Sequence, residues 1–101
     1  MSNLYWLTFR IAQVGNHTAR YDGLTGAVGS IATMPWWVEP TSFILFQAQQ
    51  NIDEVAAIIS GEIDVSTDLA LLGMPLFKSA RAIGAITDQD LFKMMPFTKW
   101  A

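Results

Sequence analysis

The run LYWLTFRI at 4–11 constrains the fold more than any other segment, because Tyr5, Leu7, Phe9 and Ile11 recur at every second position among aromatic and β-branched neighbours. In an extended chain alternate side chains share a face, so these four predict a strand that lays an apolar surface on a core. Something must cover that surface. After the break at Gly15-Asn16 and a capping Thr18, Tyr21, Leu24, Val28 and Ile31 recur at helical spacing and predict a helix over 19–31.

Gly23, Gly26 and Gly29 interrupt that helix at every third residue, and each costs about 1 kcal/mol relative to Ala in a helix interior. Either they let the helix backbone approach the sheet or a partner closely, or the segment is partly non-helical. They do not make a phosphate loop, since neither the P-loop Lys-Ser/Thr nor the G-x-G-x-x-G spacing is present.

Two short extended runs, 34–39 and 42–48, flank Pro40-Thr41 and predict a hairpin, the second run SFILFQA being strongly strand-like. Asn51 and Glu54 have capping-box spacing, and Ile52, Val55, Ala56, Ile59 and Ile63 form one apolar stripe, which predicts a helix over 52–63. A further strand over 67–73 sets Leu69 and Leu71 against Asp68, Ala70 and Leu72, with Leu72 expected on the outer face.

The resulting order is β-α-β-β-α-β, that of an α+β, ferredoxin-like sandwich in a single domain spanning 1–101. Residues 76–101 are an extension expected to pack against a partner: 80–86 forms a fifth strand or a turn, and Thr87-Asp88-Gln89-Asp90 opens a short helix that Pro96 ends.

Composition bears on what surrounds this domain. Hydrophobic residues make up 51% and charged residues 15%, against about 25% charged in ordinary soluble domains. Too few charges remain to cover the surface, so a homodimer is expected. A formal net charge of -3 argues against a protein that wraps phosphates, and nucleic acid is not favoured as a partner. Without cysteine there is no thiolate metal site and no thiol nucleophile, which fits a cytoplasmic location. The opening Met1-Ser2-Asn3-Leu4 lacks the basic and apolar regions of an export signal. Charges at Arg10, Asp64, Asp68 and Lys78 break every apolar run short of the roughly 18 residues that span a bilayer, so no membrane contact is expected.

The opening YWLTFRI, the hairpin WWVEPTSFILF with its paired Trp36-Trp37, and the helix NIDEVAAII together resemble the small CRISPR-associated protein two and its relatives. Those relatives include stand-alone ferredoxin-like proteins and an endoribonuclease antitoxin of similar size. The resemblance implies a homodimer in which two four-stranded sheets face each other, completed by an additional C-terminal strand. In some members it also implies metal-dependent cleavage of RNA or DNA, with an Asp at the end of the first strand of each subunit holding the ion. The matching position here is Arg10, after Thr8-Phe9. Arginine is positively charged and offers no acceptor to Mg²⁺, so this chemistry does not carry over.

Other candidate groups have ordinary readings beside the functional ones. His17, the only histidine, has the chemistry of a general base, but a lone loop His is more often solvated or capping. Ser42, Ser60 and Ser79 lie in no nucleophile motif. Asp53, Glu54, Asp88 and Asp90 sit where helix N-termini favour negative charge, while Asp64 and Asp68 flank a turn without EF-hand spacing. No catalytic set, metal site or cofactor is therefore assigned.

Arg10, Lys78 and Arg81 are the candidate phosphate contacts, against the plainer reading of a solvated surface. Trp36 and Trp37 point to opposite faces of a strand, so one is free for a partner. With Met94, Phe97 and Trp100 they form the expected contact set, core packing being the rival for the Met94-Met95 pair. The favoured reading is a non-catalytic homodimeric assembly or regulatory protein that binds a macromolecule. The alternatives are a metal-dependent endoribonuclease or antitoxin of the resembling family, and a small-molecule-sensing ferredoxin-like domain.

Overall fold

Eight elements follow one another in the computed structural model, which describes residues 2–33 and 35–101: β1 (Asn3–Arg10), α1 (His17–Ile31), β2 (Phe43–Ala48), α2 (Ile52–Ser60), β3 (Leu69–Gly73), β4 (Ala80–Gly84), α3 (Asp90–Met94) and β5 (Thr98–Trp100). The strands make one five-stranded mixed sheet in the order β2-β1-β3-β4-β5. All neighbours are antiparallel except β4 and β5, which are parallel. The chain is thus α+β, as its alternating runs predicted, and 80–84 is a strand rather than a turn.

Alternation in β1 works as expected. Tyr5, Leu7 and Phe9 are buried, as are Ile44, Phe46 and Ala48 on β2 and Ala70 and Leu72 on β3, all beneath α1 and α2. Tyr5 stacks on Phe46 at 5.5 Å, and its hydroxyl donates to the Gln50 carbonyl at 2.7 Å. Each fully buried side chain of this size contributes about 1.5–3 kcal/mol, so this layer dominates the stability. The face assignment in β3 is the reverse of the expectation. Leu72 lies inward and Leu71 outward, because pairing with β1 sets Leu72 opposite Leu7 and Leu71 opposite Thr8. With Leu at 69, 71 and 72, apolarity alone does not choose the face.

Asn51 caps α2 as its spacing foretold: its side chain accepts from the Glu54 N–H at 2.9 Å, and the Glu54 carboxylate accepts from the Asn51 N–H at 2.9 Å. The helix stops at Ser60, three residues early, at Gly61, while Ile63 stays buried beyond it. α1 is helical throughout despite its glycines and starts two residues early, at His17. Of these, Gly29 has a clear reason: a Cβ there would come within 3.1 Å of the Trp36 ring, which packs on the helix.

The expected strand at 34–39 contracts to one bridge, and Met34 lies outside the described residues. Trp37 donates to the Leu45 carbonyl at 2.7 Å and accepts from the Leu45 N–H at 3.0 Å. A second bridge joins Ala32 to Ala48. Five residue steps from Ala32 to Trp37 are thus set against three from Ala48 to Leu45, so the two bridges do not belong to one regular ladder. Pro35 falls between them and has no N–H to give a ladder.

Candidate functional site: the sheet face opposite α1 and α2

Since one face of the sheet lies under α1 and α2, the other carries the remaining alternation. On β1 it presents Leu4, Trp6, Thr8 and Arg10, on β2 Phe43, Leu45 and Gln47, and on β3 Leu69, Leu71 and Gly73. Arg10 is the only charged residue among them, and apart from exposed Arg10 and buried Gly73 they are half-buried. Trp37, bridged to Leu45, adds its ring at the edge, 6.0 Å from Phe43 and edge-on to it. An apolar sheet face of this kind, with no helix over β2 and the Leu4–Trp6 part of β1, is what a partner surface needs.

The face has two halves. After β4 the chain crosses it through α3 to reach β5, and the α3 segment leaves a cleft of about 450 Å³ lined by Thr8, Arg10, Leu69, Leu71, Leu91 and Met94. Asp88 and Asp90 stand at the same cleft. Over β2 the face instead borders a shallow groove of about 320 Å³ between Leu4, Trp36, Trp37 and Leu45.

The sequence-predicted contact residues divide accordingly. Trp36 packs on α1 at Gly29, whereas Trp37 is 45% exposed and donates its Nε1–H to Glu39 at 2.8 Å. Met94 is 76% exposed on α3, Phe97 is half-buried in the turn that follows, and Trp100 is exposed on β5, 5.3 Å from Phe92. The extension 76–101 thus lengthens the chain's own sheet and also leaves apolar side chains uncovered.

Arg10, Lys78 and Arg81 are not brought together. Arg10 ends β1 opposite Leu69, while Lys78 lies beyond the other end of β3, past Gly73. Arg81 is committed elsewhere: its Nε donates to Asp53 at 2.7 Å, and the guanidinium holds the Asp53 carboxyl below the usual carboxylate range. Among the described residues Arg10 has no ion-pair partner.

Asp64 and Asp68 are equally occupied. Asp68 is fully buried and accepts from the backbone N–H groups of Ala12 and Asp64 at 2.8 and 2.9 Å and from Arg20 Nε at 2.8 Å. Burial works to raise its pKa, but these donors outweigh it and hold the carboxyl below its ordinary value. Asp64 is lowered by the hydroxyl and N–H of Ser66. Among the described residues no group of three or more His, Cys, Asp or Glu converges to hold a metal ion. His17 begins α1 and contacts no carboxylate or serine by hydrogen bond among the described residues. No helix among them is long and apolar enough to cross a membrane.

Trp6, at the centre of this face, is a residue that strand alternation alone does not single out. Leu4, Trp6 and Thr8 together make the second side of β1 nearly as apolar as the first. The chain matches no protein-family model, no curated protein and no solved structure.

Proposed function

We propose that the chain acts as a homodimer whose two sheets meet through the faces opposite α1 and α2, as a non-catalytic assembly or regulatory protein of the cytoplasm. The observation that carries this reading is the uncovered β1–β2 half of the sheet, where Leu4, Trp6, Phe43, Leu45 and Trp37 adjoin without a charge between them. A ferredoxin-like assignment goes with it. The bridged edge segment, β2, β1 and β3 lie side by side in the antiparallel order that a β-α-β-β-α-β chain takes, with the second strand worn down to Trp37. The resemblance to the CRISPR-associated protein two family supports the same mode of pairing, with Arg10 where its nucleases need a carboxylate.

Sedimentation equilibrium at micromolar concentration tests the reading. A dimer that Trp6→Glu or Leu45→Glu converts to monomer is the expected result, because either places two carboxylates in an apolar contact. A wild-type protein that sediments only as the 11.2 kDa monomer overturns it.

The cleft beneath α3 favours a second reading, a small-molecule sensor in which the unpaired Arg10 meets an anionic group above Leu69 and Leu71. Saturable binding of small apolar carboxylates that Arg10→Ala abolishes would support it over the first.

A further inference from the structure

We infer that the two copies lock by a knob and a groove: the β3–β4 turn of one, carrying Leu76 and Phe77, seats between Leu4, Leu45, Trp36 and Trp37 of the other, and Lys78 meets Glu39. This rests on the homodimer reading above and specifies its geometry.

The knob is rigid and bare. The Phe77 N–H donates to the Met74 carbonyl at 3.2 Å and the Met74 N–H to the Ser79 carbonyl at 3.1 Å. Pro75 occupies the second turn position, where its fixed φ suits the bend. On this ordered turn Leu76 is 74% exposed and Phe77 64%. The turn fixes the backbone that carries them, so docking costs only the freedom of the two side chains themselves.

The groove lies where a two-fold axis can deliver that knob. Strands are about 4.8 Å apart, so β2 and the Trp37 segment stand one and two spacings to one side of β1, as β3 and β4 do to the other. The groove and the turn also share one end of the sheet. Leu4 pairs with Gln47 at the groove, and the turn leaves β3 at Gly73, opposite Trp6. A two-fold axis running along β1 between facing sheets therefore brings each turn over the other copy's groove. The same operation sets the half raised by α3 over the bare half of the second copy, so the stepped face complements itself.

Charge agrees with this placement. Lys78 follows the knob and has no ion-pair partner among the described residues. Glu39 stands beside the groove, where its carboxylate accepts from Trp37 Nε1, and it too has no cation. Each copy thus offers one free cation at the knob and one free anion at the socket. Arg10 lies on the axis near its own copy, and Asp88 and Asp90 of both copies flank the pair to offset its repulsion.

Sedimentation equilibrium on single and paired variants of the full chain tests this. The double variant Leu76→Ser with Phe77→Ser should raise the dimer dissociation constant about 30-fold or more. Lys78→Glu and Glu39→Lys should each raise it about threefold to tenfold, and their combination should restore it to within about threefold. Melting temperatures of the variants check that the monomer fold is kept. Should Glu39→Lys lower its own, Glu39→Gln keeps an acceptor for Trp37; it should weaken the wild type and partly restore association in Lys78→Glu by removing the carboxylate that faces the new one. A wild-type dimer with undiminished association in the Leu76/Phe77 variant, or no coupling between Lys78 and Glu39, overturns this inference and leaves the homodimer reading standing. A wild type that stays monomeric at micromolar concentration overturns the homodimer reading itself.

Discussion

The Trp6 indole occupies the space that a Cβ on Gly73 would need: Cζ2, Cε2 and Nε1 of the ring all lie within reach of it, the last at 2.9 Å. The two residues are directly paired across β1 and β3. Glycine usually weakens a strand, so an added methyl would be expected to help there. Here the steric term decides the sign, because the ring must leave its seat. Gly73→Ala should lower stability by about 1–3 kcal/mol, read from chemical denaturation. An unchanged or raised stability would mean that Trp6 has another position at little cost.

The paired tryptophans should separate by assay. Trp36 packs on α1 at Gly29 and so supports the monomer as well as walling the groove, whereas Trp37 sits at the edge of the open face beside Phe43. Trp36→Ala should lower stability by about 1–2 kcal/mol, below the cost of a fully buried Trp because it is 38% exposed. Trp37→Ala should leave stability within about 1 kcal/mol and weaken self-association about tenfold. The reverse pattern in melting and sedimentation experiments would exchange the two roles.

How far the sequence could be read depended on whether a signal was local. β1 and α2 were legible because alternation and the Asn51–Glu54 capping box lie within one element. At 35–39 only Trp37 bridges to β2: Pro35, which gives no N–H to a ladder, was a local signal against a strand, whereas which residue pairs with Leu45 is set by the tertiary fold. The face of β3 was ambiguous for a different reason, since Leu69, Leu71 and Leu72 satisfy either side until register with β1 is known. Arg81 read as a free cation, yet its partner Asp53 lies 28 residues away. Trp6 carries no sequence signal of its own as a surface residue, because a strand with two apolar faces reads as core on either side.

The proposed resemblance to metal-dependent nucleases makes a clear prediction about Arg10. In-line cleavage of a phosphodiester needs carboxylates that hold Mg²⁺ and an activated water, and the residue at the matching end of β1 is a cation. Purified protein should leave labelled single- and double-stranded RNA and DNA intact in Mg²⁺ or Mn²⁺. Cutting that survives Arg10→Ala and is lost on changing Asp88 or Asp90 would place a metal site in the α3 cleft instead.

Acid should reveal the Arg20–Asp68 pair. Asp68 ties three segments together: its carboxylate takes the Ala12 N–H after β1, the Asp64 N–H after α2, and the Arg20 guanidinium on α1, which also donates to the Ala12 and Val14 carbonyls at 2.9 Å. Folding lowers the pKa of this carboxyl below its ordinary 3.8. The charged form is therefore favoured in the folded state. Its stabilisation is fully present above the unfolded value and is lost as pH falls through the lower folded value. Asp68→Asn keeps the shape but leaves Arg20 without its buried counter-charge, and should cost about 2–4 kcal/mol at neutral pH. Asp53 and Asp64 are also lowered and act on the same acid limb in both proteins. The informative quantity is the difference between wild type and variant, measured by denaturant titration from neutral pH down to about pH 2. It should be constant above pH 3.8 and shrink below it. A difference that stays the same across the whole range would show that Asp68 holds these segments by shape rather than by charge.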